Sequence, residues 1–142
     1  MGPELNASPP PAAILEAVLY AADLDAAERF YDRLLGTAPL AKVEGRHIFY
    51  KLEGQMLLIF NPDATRKPPD GPLPVPPHGA EGEGHVCFAA SADKIEGWRR
   101  HLADMGVAIE SEFEWPQGGR SIYIRDPAGN SVEFAEPRIW GL

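Results

Sequence analysis

The sequence has little of what marks a membrane, nucleic-acid-binding or disulfide-linked protein. Its one cysteine, Cys87, cannot form a disulfide within the chain, which favours a reducing compartment and makes the cytoplasm the expected location. Apolar runs such as residues 56–60 are far shorter than the roughly 20 residues that a membrane helix needs. There are 13 Lys and Arg residues against 21 Asp and Glu residues, and no basic cluster that would bind phosphate backbones. Neither a membrane nor nucleic acid is therefore an expected partner.

The beginning of the chain also lacks a targeting signal. Residues 1–13 contain no basic region followed by an apolar core, and Asn6 stands where N-myristoylation requires Ser or Thr. We expect a flexible lead-in over residues 1–13. The 142-residue chain as a whole is 44% hydrophobic and 24% charged, which is typical of one compact globular domain.

What the sequence does contain is an internal repeat. Residues 45–51 (GRHIFYK) resemble residues 119–125 (GRSIYIR), at an offset of 74 residues. Each segment continues through a turn into a second apolar strand, and the second of these turns, residues 126–130 (DPAGN), is typical of a hairpin. A repeat of this length predicts two copies of one structural unit.

Each half reads as a strand, a helix and then further strands. In the first half Asp23 is a candidate helix N-cap and Gly36 a candidate stop, with an apolar stripe at Ala26, Phe30, Leu34 and Leu35. In the second half we expect the same roles for Asp93, Ile95, Trp98, Leu102 and Gly106. The predicted class is α+β, with two tandem βαβββ units at residues 14–62 and 84–137 and a tail at 138–142.

A proline-rich segment separates the two units. Prolines stand at positions 62, 68, 69, 72, 74, 76 and 77, a density that disfavours both helices and central strands. Residues 63–83 are therefore predicted to form an extended linker. The linker is either a simple tether or a loop that folds over a binding site, as long loops in compact domains often do.

Three polar residues occupy strand positions that the repeat brings into relation. Glu16 and His85 open the first strand of their respective halves, and Glu133 alternates with apolar residues in the last strand of the second half. Taken singly, each has an ordinary structural explanation, such as solvation, a structural hydrogen bond or an ion pair with Arg120 or Arg125. Taken together, one nitrogen and two carboxylate ligands suit Zn²⁺, Mn²⁺, Fe²⁺ or Ni²⁺. A buried carboxylate also needs a partner, which a bound cation supplies.

Four further residues are candidates for substrate binding. His47 and Tyr123 lie on predicted hairpin strands that would reach the cavity, although His47 also fits an exposed position and Tyr123 a core position. Trp115 precedes a proline near the expected cavity mouth, and Arg120 opens one of the hairpin strands.

Two longer segments resemble a known superfamily. Residues 119–134 (GRSIYIRDPAGNSVEF) are similar to the closing strand, turn and metal-binding Glu of the vicinal oxygen chelate superfamily, and residues 18–36 (VLYAADLDAAERFYDRLLG) to its opening strand and helix. This superfamily includes glyoxalase I, extradiol dioxygenases, and fosfomycin and bleomycin resistance proteins. The likeness covers residues 14–137. It implies a glyoxalase-like fold, in which the two units form a curved, half-open mixed sheet around a metal or ligand cavity.

The resemblance also implies a ligand set with two departures. His85 and Glu133 fall on metal positions of the family, and Glu16 falls where many members have His and some glyoxalases have Gln. Leu58 falls on the fourth ligand position of glyoxalase I and cannot bind a metal. The implied cofactor is one divalent ion (Zn, Ni, Mn or Fe).

The implied chemistry is that of an enzyme acting on a small molecule with vicinal oxygens. The ion would stabilise an enediolate, and Glu133 or Glu16 would act as the proton-transfer base. Glyoxalase-type lyase or isomerase chemistry is slightly favoured. The alternatives are an extradiol-type dioxygenase and a metal-free protein that binds an antibiotic, as bleomycin resistance proteins do. The resemblance further implies a homodimer.

Overall fold

The computed structural model describes residues 9–142, so most of the predicted lead-in lies outside the described residues. The elements in chain order are β1 (Glu16–Tyr20), α1 (Leu24–Leu35), β2 (Ala41–Val43), β3 (His47–Leu52), β4 (Gln55–Phe60), α2 (Pro62–Thr65), β5 (His85–Ala89), α3 (Ile95–Met105), β6 (Ser111–Glu114), β7 (Arg120–Arg125), β8 (Ser131–Ala135) and a 3₁₀ helix (Pro137–Trp140).

The strands form two four-stranded sheets of identical topology. The first sheet has the order β1-β4-β3-β2 and the second the order β5-β8-β7-β6. In each sheet the first strand pairs in parallel with the last, and the remaining pairs are antiparallel. The predicted duplication and the α+β class with mixed, unclosed sheets are confirmed. We call β1 to β4 with α1 the first unit, and β5 to β8 with α3 the second unit.

The helix of the first unit begins and ends where the sequence predicts. Asp23 accepts a hydrogen bond from the backbone N–H of Ala26 at 3.0 Å, and Gly36 ends the helix in the left-handed conformation with φ 68°. The buried stripe overlaps the prediction in part, because Leu24, Ala27, Tyr31 and Leu34 face the core. Of the predicted residues, Leu34 is buried, and Phe30 and Leu35 pack partly buried against the same core.

The helix of the second unit starts differently. Its N-cap position is Lys94, which makes no side-chain capping bond, so Asp93 is not the cap that the sequence predicts. The physical reason is a turn at residues 91–94, in which the N–H of Lys94 donates to the carbonyl of Ser91. The carboxylate of Asp93 accepts from the hydroxyl of Ser91 instead. Over residues 9–142, no helix combines the length and apolar composition needed to span a membrane.

The sheets present two distinct faces. Leu19, Ile48, Ile59, Ile122 and Phe134 are at most 2% exposed and pack with α1 and α3 in one continuous core. Because side chains alternate along a strand, the residues between them point away from the helices. We call this second surface the site face. Among the residues on it are Glu16, Tyr20, His47, Phe49, Leu58, His85, Cys87, Ser121, Tyr123 and Glu133.

Hydrogen bonds of Asn130 and Asp126 join the two units. The amide of Asn130 accepts from the N–H of Gly84 at 2.7 Å and donates to the carbonyl of Tyr20 at 3.2 Å. The predicted hairpin turn also crosses between units, since the hydroxyl of Tyr31 donates to Asp126 at 2.7 Å. The edge strands β1 and β5 therefore lie side by side, with the end of β1 next to the start of β5.

The proline-rich linker returns to the first sheet. It begins with the short helix α2, which the sequence analysis missed, and then runs without regular structure to β5. The imidazole of His78 lies 2.6 Å from the hydroxyl of Tyr20 and packs edge-on against Phe60, with ring centroids 4.7 Å apart. The N–H of His78 also donates to the carbonyl of Thr65 at 3.0 Å. The linker thus covers part of the first sheet.

Candidate metal and substrate site

Glu133 lies at the centre of the second sheet. In β8 it pairs with Cys87 of β5 on one side and Tyr123 of β7 on the other, while Val132 and Phe134 point into the core. Its side chain is buried, with 6% of the residue exposed. A carboxylate in such a position is costly unless hydrogen bonds or a positive charge compensate it.

His85 supplies one of the contacts to this carboxylate. Its Nε2 atom lies 3.3 Å from Oε1 of Glu133, and its Nδ1 atom lies 3.0 Å from the carbonyl oxygen of Ser131. A carbonyl oxygen can only accept, so Nδ1 carries a proton and donates it. In the neutral imidazole, Nε2 is then an acceptor that faces a second acceptor. Either a proton or a cation must lie between them.

This arrangement fits a divalent ion. Bonds of about 2.1 Å from one ion to nitrogen and oxygen place the two ligand atoms roughly 3.0 to 3.4 Å apart, depending on geometry. The observed separation of 3.3 Å falls within this range. Metal-binding histidines also usually donate their other ring N–H to a carbonyl or carboxylate, as His85 does. The pair His85 and Glu133 therefore has the donor chemistry and orientation of two metal ligands.

The second carboxylate oxygen of Glu133 is held by residues that the sequence analysis did not single out for this role. The hydroxyl of Ser121 donates to Oε2 of Glu133 at 2.6 Å, and the indole N–H of Trp115 donates to that hydroxyl at 2.8 Å. Trp115 was predicted to line the cavity mouth, and its ring also packs edge-on against Phe113. Ser121 was missed, although its alternation with Tyr123 along β7 places it on the site face.

Cys87 and Tyr123 flank Glu133, and its negative charge contributes to a raised pKa at both residues. Burial and then the carboxylate of Glu133 raise the pKa of the Cys87 thiol to about 12. Cys87 is therefore a neutral thiol and a poor nucleophile at neutral pH. Burial and a hydrogen bond to Glu133 also raise the pKa of the Tyr123 hydroxyl. The ring of Tyr123 lies nearly parallel to that of His85, with centroids 6.4 Å apart, so it borders the candidate metal pair.

The third expected ligand does not join this pair in the structure. Glu16 opens β1 at the position equivalent to His85, on the site face, but its side chain is exposed and belongs to the other sheet. Within residues 9–142, no three His, Cys, Asp or Glu side chains lie together in a way that could hold an ion. Leu58 occupies the place of Glu133 in the first sheet, where it pairs with Val18 and Phe49.

Two of the predicted substrate-binding residues, Arg120 and His47, lie away from the His85–Glu133 pair. Arg120 is on the opposite face of β7 from Glu133, where its guanidinium pairs with Glu96 of α3 at 2.6 Å. Side chains alternate between the two faces of β7, and the sequence alone does not tell which face Arg120 takes. His47 does lie on the site face, but of the first sheet, stacked on Phe49 with centroids 3.9 Å apart.

A cavity opens at the junction of the two units, beside Cys87. It has a volume of about 590 Å³, and apolar side chains and the β3–β4 turn form most of its wall. The lining residues are Leu35, Leu52, Glu53, Gln55, Cys87, Phe88, Ala89 and Trp98. Its size is that of a small-molecule site. Neither His85 nor Glu133 lines it, and Cys87, the strand neighbour of Glu133, is the lining residue next to the candidate metal pair.

Comparison with known proteins shows the family of the chain. The profile of the Glyoxalase/Bleomycin resistance protein/Dioxygenase superfamily matches residues 13–134. The chain belongs to this superfamily. Its members include lyases and dioxygenases, act on small molecules, commonly use a divalent metal and often form dimers.

Solved structures of superfamily proteins share the fold. Lactoylglutathione lyase from Agrobacterium tumefaciens is 44% identical, with a TM-score of 0.88 over 94% of this chain and 100% of that one. A glyoxalase / bleomycin resistance protein from Catenulispora acidiphila is 21% identical, with a TM-score of 0.64 over 88% and 98%. A glyoxalase/bleomycin resistance protein/dioxygenase from Nocardioides is 22% identical, with a TM-score of 0.70 over 92% and 86%. A comparison with curated proteins gives no match.

Proposed function

We propose that this superfamily member is a divalent-metal-dependent enzyme of glyoxalase type that acts on a small molecule with vicinal oxygens. The observation that carries the proposal is the pair of acceptors, Nε2 of His85 and Oε1 of Glu133, that face each other at 3.3 Å. The hydrogen bonds behind each group, from His85 to Ser131 and from Ser121 to Glu133, orient both toward one point. A cation at that point would satisfy both acceptors.

In the proposed site, His85 and Glu133 hold the ion and Glu16 completes the set. The exposed side chain of Glu16 can change rotamer without breaking the core, so its carboxylate is available to swing toward the pair. When bound, the ion supplies Lewis-acid stabilisation of an oxyanion on the substrate. Zn, Ni, Mn and Fe are all compatible with one nitrogen and two oxygen ligands.

Proton transfer is assigned to the carboxylates. Glu133 is buried and adjacent to the substrate position, so it can take a proton from a carbon next to a carbonyl and return it to the neighbouring carbon. Glu16 is the second candidate for this role. Tyr123 borders Glu133, Trp115 is linked to it through Ser121, and both would contact the substrate. His47 would do so from the first sheet.

Two observations favour lyase or isomerase chemistry over ring cleavage. The structurally similar protein from Agrobacterium tumefaciens is a lactoylglutathione lyase. One His and two carboxylates also differ from the two-His, one-carboxylate arrangement of Fe(II) oxygenases. A metal-free protein that binds an antibiotic is the second candidate. Leu58, and the absence within residues 9–142 of a third ligand beside His85 and Glu133, favour it.

Metal analysis separates these functions. Protein purified without chelator should carry close to one divalent ion per chain, and the His85→Ala and Glu133→Ala variants should lose it, because each removes a ligand. His101→Ala is the matched control, since His101 bonds the carbonyl of Arg33 on the helix side. Inductively coupled plasma mass spectrometry gives the metal content. A metal-free wild type that still binds its ligand would contradict the enzyme and support the binding protein.

We also propose that the chain is cytoplasmic and forms a homodimer. Large apolar side chains near both ends are exposed, and a second copy could cover them: Ile14 is 69%, Leu15 73% and Trp140 80% exposed. Light scattering on the same sample should give twice the chain mass of 15.5 kDa. A value equal to the chain mass would reject the dimer.

A further inference from the structure

We propose that Ser121, fixed by Trp115, is a positioning residue that turns one carboxylate oxygen of Glu133 toward His85. This inference rests on the proposed function, because its consequence is a higher affinity for the metal ion. Neither the duplication nor the family resemblance singles out Ser121. The proposal comes from the chain of two hydrogen bonds, from Trp115 to Ser121 to Glu133.

The chemistry of the three groups fixes the direction of this chain. An indole N–H can only donate, so the hydroxyl of Ser121 must accept from Trp115. The hydroxyl has a single proton, which is then committed to Oε2 of Glu133. One lone pair of Oε2 is therefore taken up by Ser121, and Oε1 is the oxygen that faces Nε2 of His85 at 3.3 Å. The hydrogen bonds thus fix the rotation of the carboxylate so that Oε1 points at His85.

The surroundings hold this arrangement rigidly. Ser121 is 1% exposed and Glu133 6% exposed, so water does not compete for either group. The backbone of Trp115 is itself anchored across a turn, because its N–H donates to the carbonyl of Gly119 at 2.8 Å and its carbonyl accepts from Gly118 at 2.9 Å. In a buried site, hydrogen bonds of this kind act more strongly than in water.

The first unit shows that the fold does not need these residues. In the strand pairing His47 and Leu58 stand in place of Ser121 and Glu133, and the first unit contains no Trp, yet the first sheet has the same topology. All three members of the chain are absent together from that unit. The hydroxyl and the indole therefore accompany the carboxylate, which indicates a role in the site rather than in the sheet.

Metal titration tests the affinity. Ser121→Ala should bind Zn²⁺ about 10- to 100-fold more weakly than the wild type by calorimetry, the usual range for loss of an outer-shell partner. Trp115→Phe should weaken it about fivefold, because it frees the Ser121 proton without removing the hydroxyl. Ser111→Ala, on the exposed neighbouring strand β6, is the control and should not differ. All variants should keep the wild-type melting temperature to within a few degrees.

A second measurement works without metal. In the apo protein, Glu133→Gln should shift the ¹⁵N–¹H indole resonance of Trp115, and the shift should vanish in the Ser121→Ala background. The indole of exposed Trp140 serves as the internal control. Equal Zn²⁺ affinity of the wild type and Ser121→Ala, or a Trp115 resonance that responds identically in both backgrounds, would overturn the positioning role. A wild type that binds no Zn²⁺ would reject the proposed function, and the positioning role would then be decided by the indole shift alone.

Discussion

At the scale of single residues, duplication has allowed equivalent positions to diverge. His47 and Ser121 occupy matching places in β3 and β7, but their surroundings differ. Ser121 donates to a carboxylate, whereas His47 is enclosed by aromatic rings and lies 2.6 Å from the guanidinium of Arg46. Because Arg only donates, Nδ1 of His47 must accept and carries no proton. One strand position therefore serves a charged site in one unit and an aromatic cluster in the other.

This environment predicts a pH dependence of stability. Burial and then the positive charge of Arg46 lower the pKa of His47 below its usual value of about 6.5. The unfolded chain then binds the proton more readily than the folded one. The free energy of unfolding should thus fall as the pH drops below about 6.5 toward the lowered pKa, and its full value should be present above that window. Urea unfolding at pH 7.5 and 5.5 should show a smaller loss for His47→Gln than for the wild type.

The Arg46→Gln variant separates the two causes of the lowered His47 pKa, which are burial and the charge of Arg46. Since burial is the larger of them, this variant should keep most of the pH dependence of the wild type. If His47→Gln and the wild type lose the same stability between the two pH values, protonation of His47 does not contribute and the interpretation is wrong.

At the scale of elements, most of the fold could be predicted from the sequence. The repeat gave the strand and helix order of both units, and the glycines at 36 and 106 end their helices in the left-handed conformation, as the sequence predicts. The starts of the helices were harder to predict. Asp23 and Asp93 precede similar apolar patterns, and only a tertiary turn at residues 91–94 distinguishes them.

The candidate site was predictable only in part, because the sequence pattern does not always show which face of a strand a residue takes. The pattern of β8 places Glu133 opposite its apolar neighbours, and His85 follows from the repeat. For Arg120 and Ser121, the sequence does not say which of two adjacent residues faces the helices. Shifting a strand by one residue exchanges its faces, so local patterns leave this choice open wherever both residues are polar.

The difference between the two helix starts predicts different effects on stability. Asp23→Ala should lower the free energy of unfolding by about 1 kcal/mol, because the N–H of Ala26 loses its capping partner. Asp93→Ala is the matched control and should change stability by less than about 0.5 kcal/mol, since Asp93 caps no helix. Urea unfolding followed by circular dichroism measures both. Equal losses for the two variants would show that capping does not explain the effect.

At the scale of the whole molecule, the two units share one core and a buried polar junction. Packing of α1 against α3 joins their apolar clusters. The amide of Asn130, 1% exposed, bonds Gly84, Asp126 and the carbonyl of Tyr20. Because β5 begins directly after Gly84, this junction also sets where His85 lies relative to the first unit. The duplicated units are thus expected to fold and unfold together, which a single shared site requires.

Two optical probes can test this cooperativity, since all three Trp residues, 98, 115 and 140, belong to the C-terminal part of the chain. Tryptophan fluorescence then follows the second unit, and far-ultraviolet circular dichroism follows both. We expect coincident urea transitions in the wild type. Asn130→Ala should lower both midpoints equally, at a cost of about 3 kcal/mol, because it removes a buried bond to Asp126 and leaves the partly buried N–H of Gly84 and carbonyl of Tyr20 without this partner.

Asn61→Ala is the control for this prediction. The Asn61 side chain bonds Ala22 and caps α2 by accepting from Asp63 and Ala64, and none of these contacts reaches the second unit. Its loss should cost about 1 kcal/mol, the usual effect of removing a cap. If fluorescence and circular dichroism give different midpoints in the wild type, the units unfold independently. The position of His85 relative to Glu16 would then depend on β1 and β5 alone, and Asn130 would have no part in assembling the site.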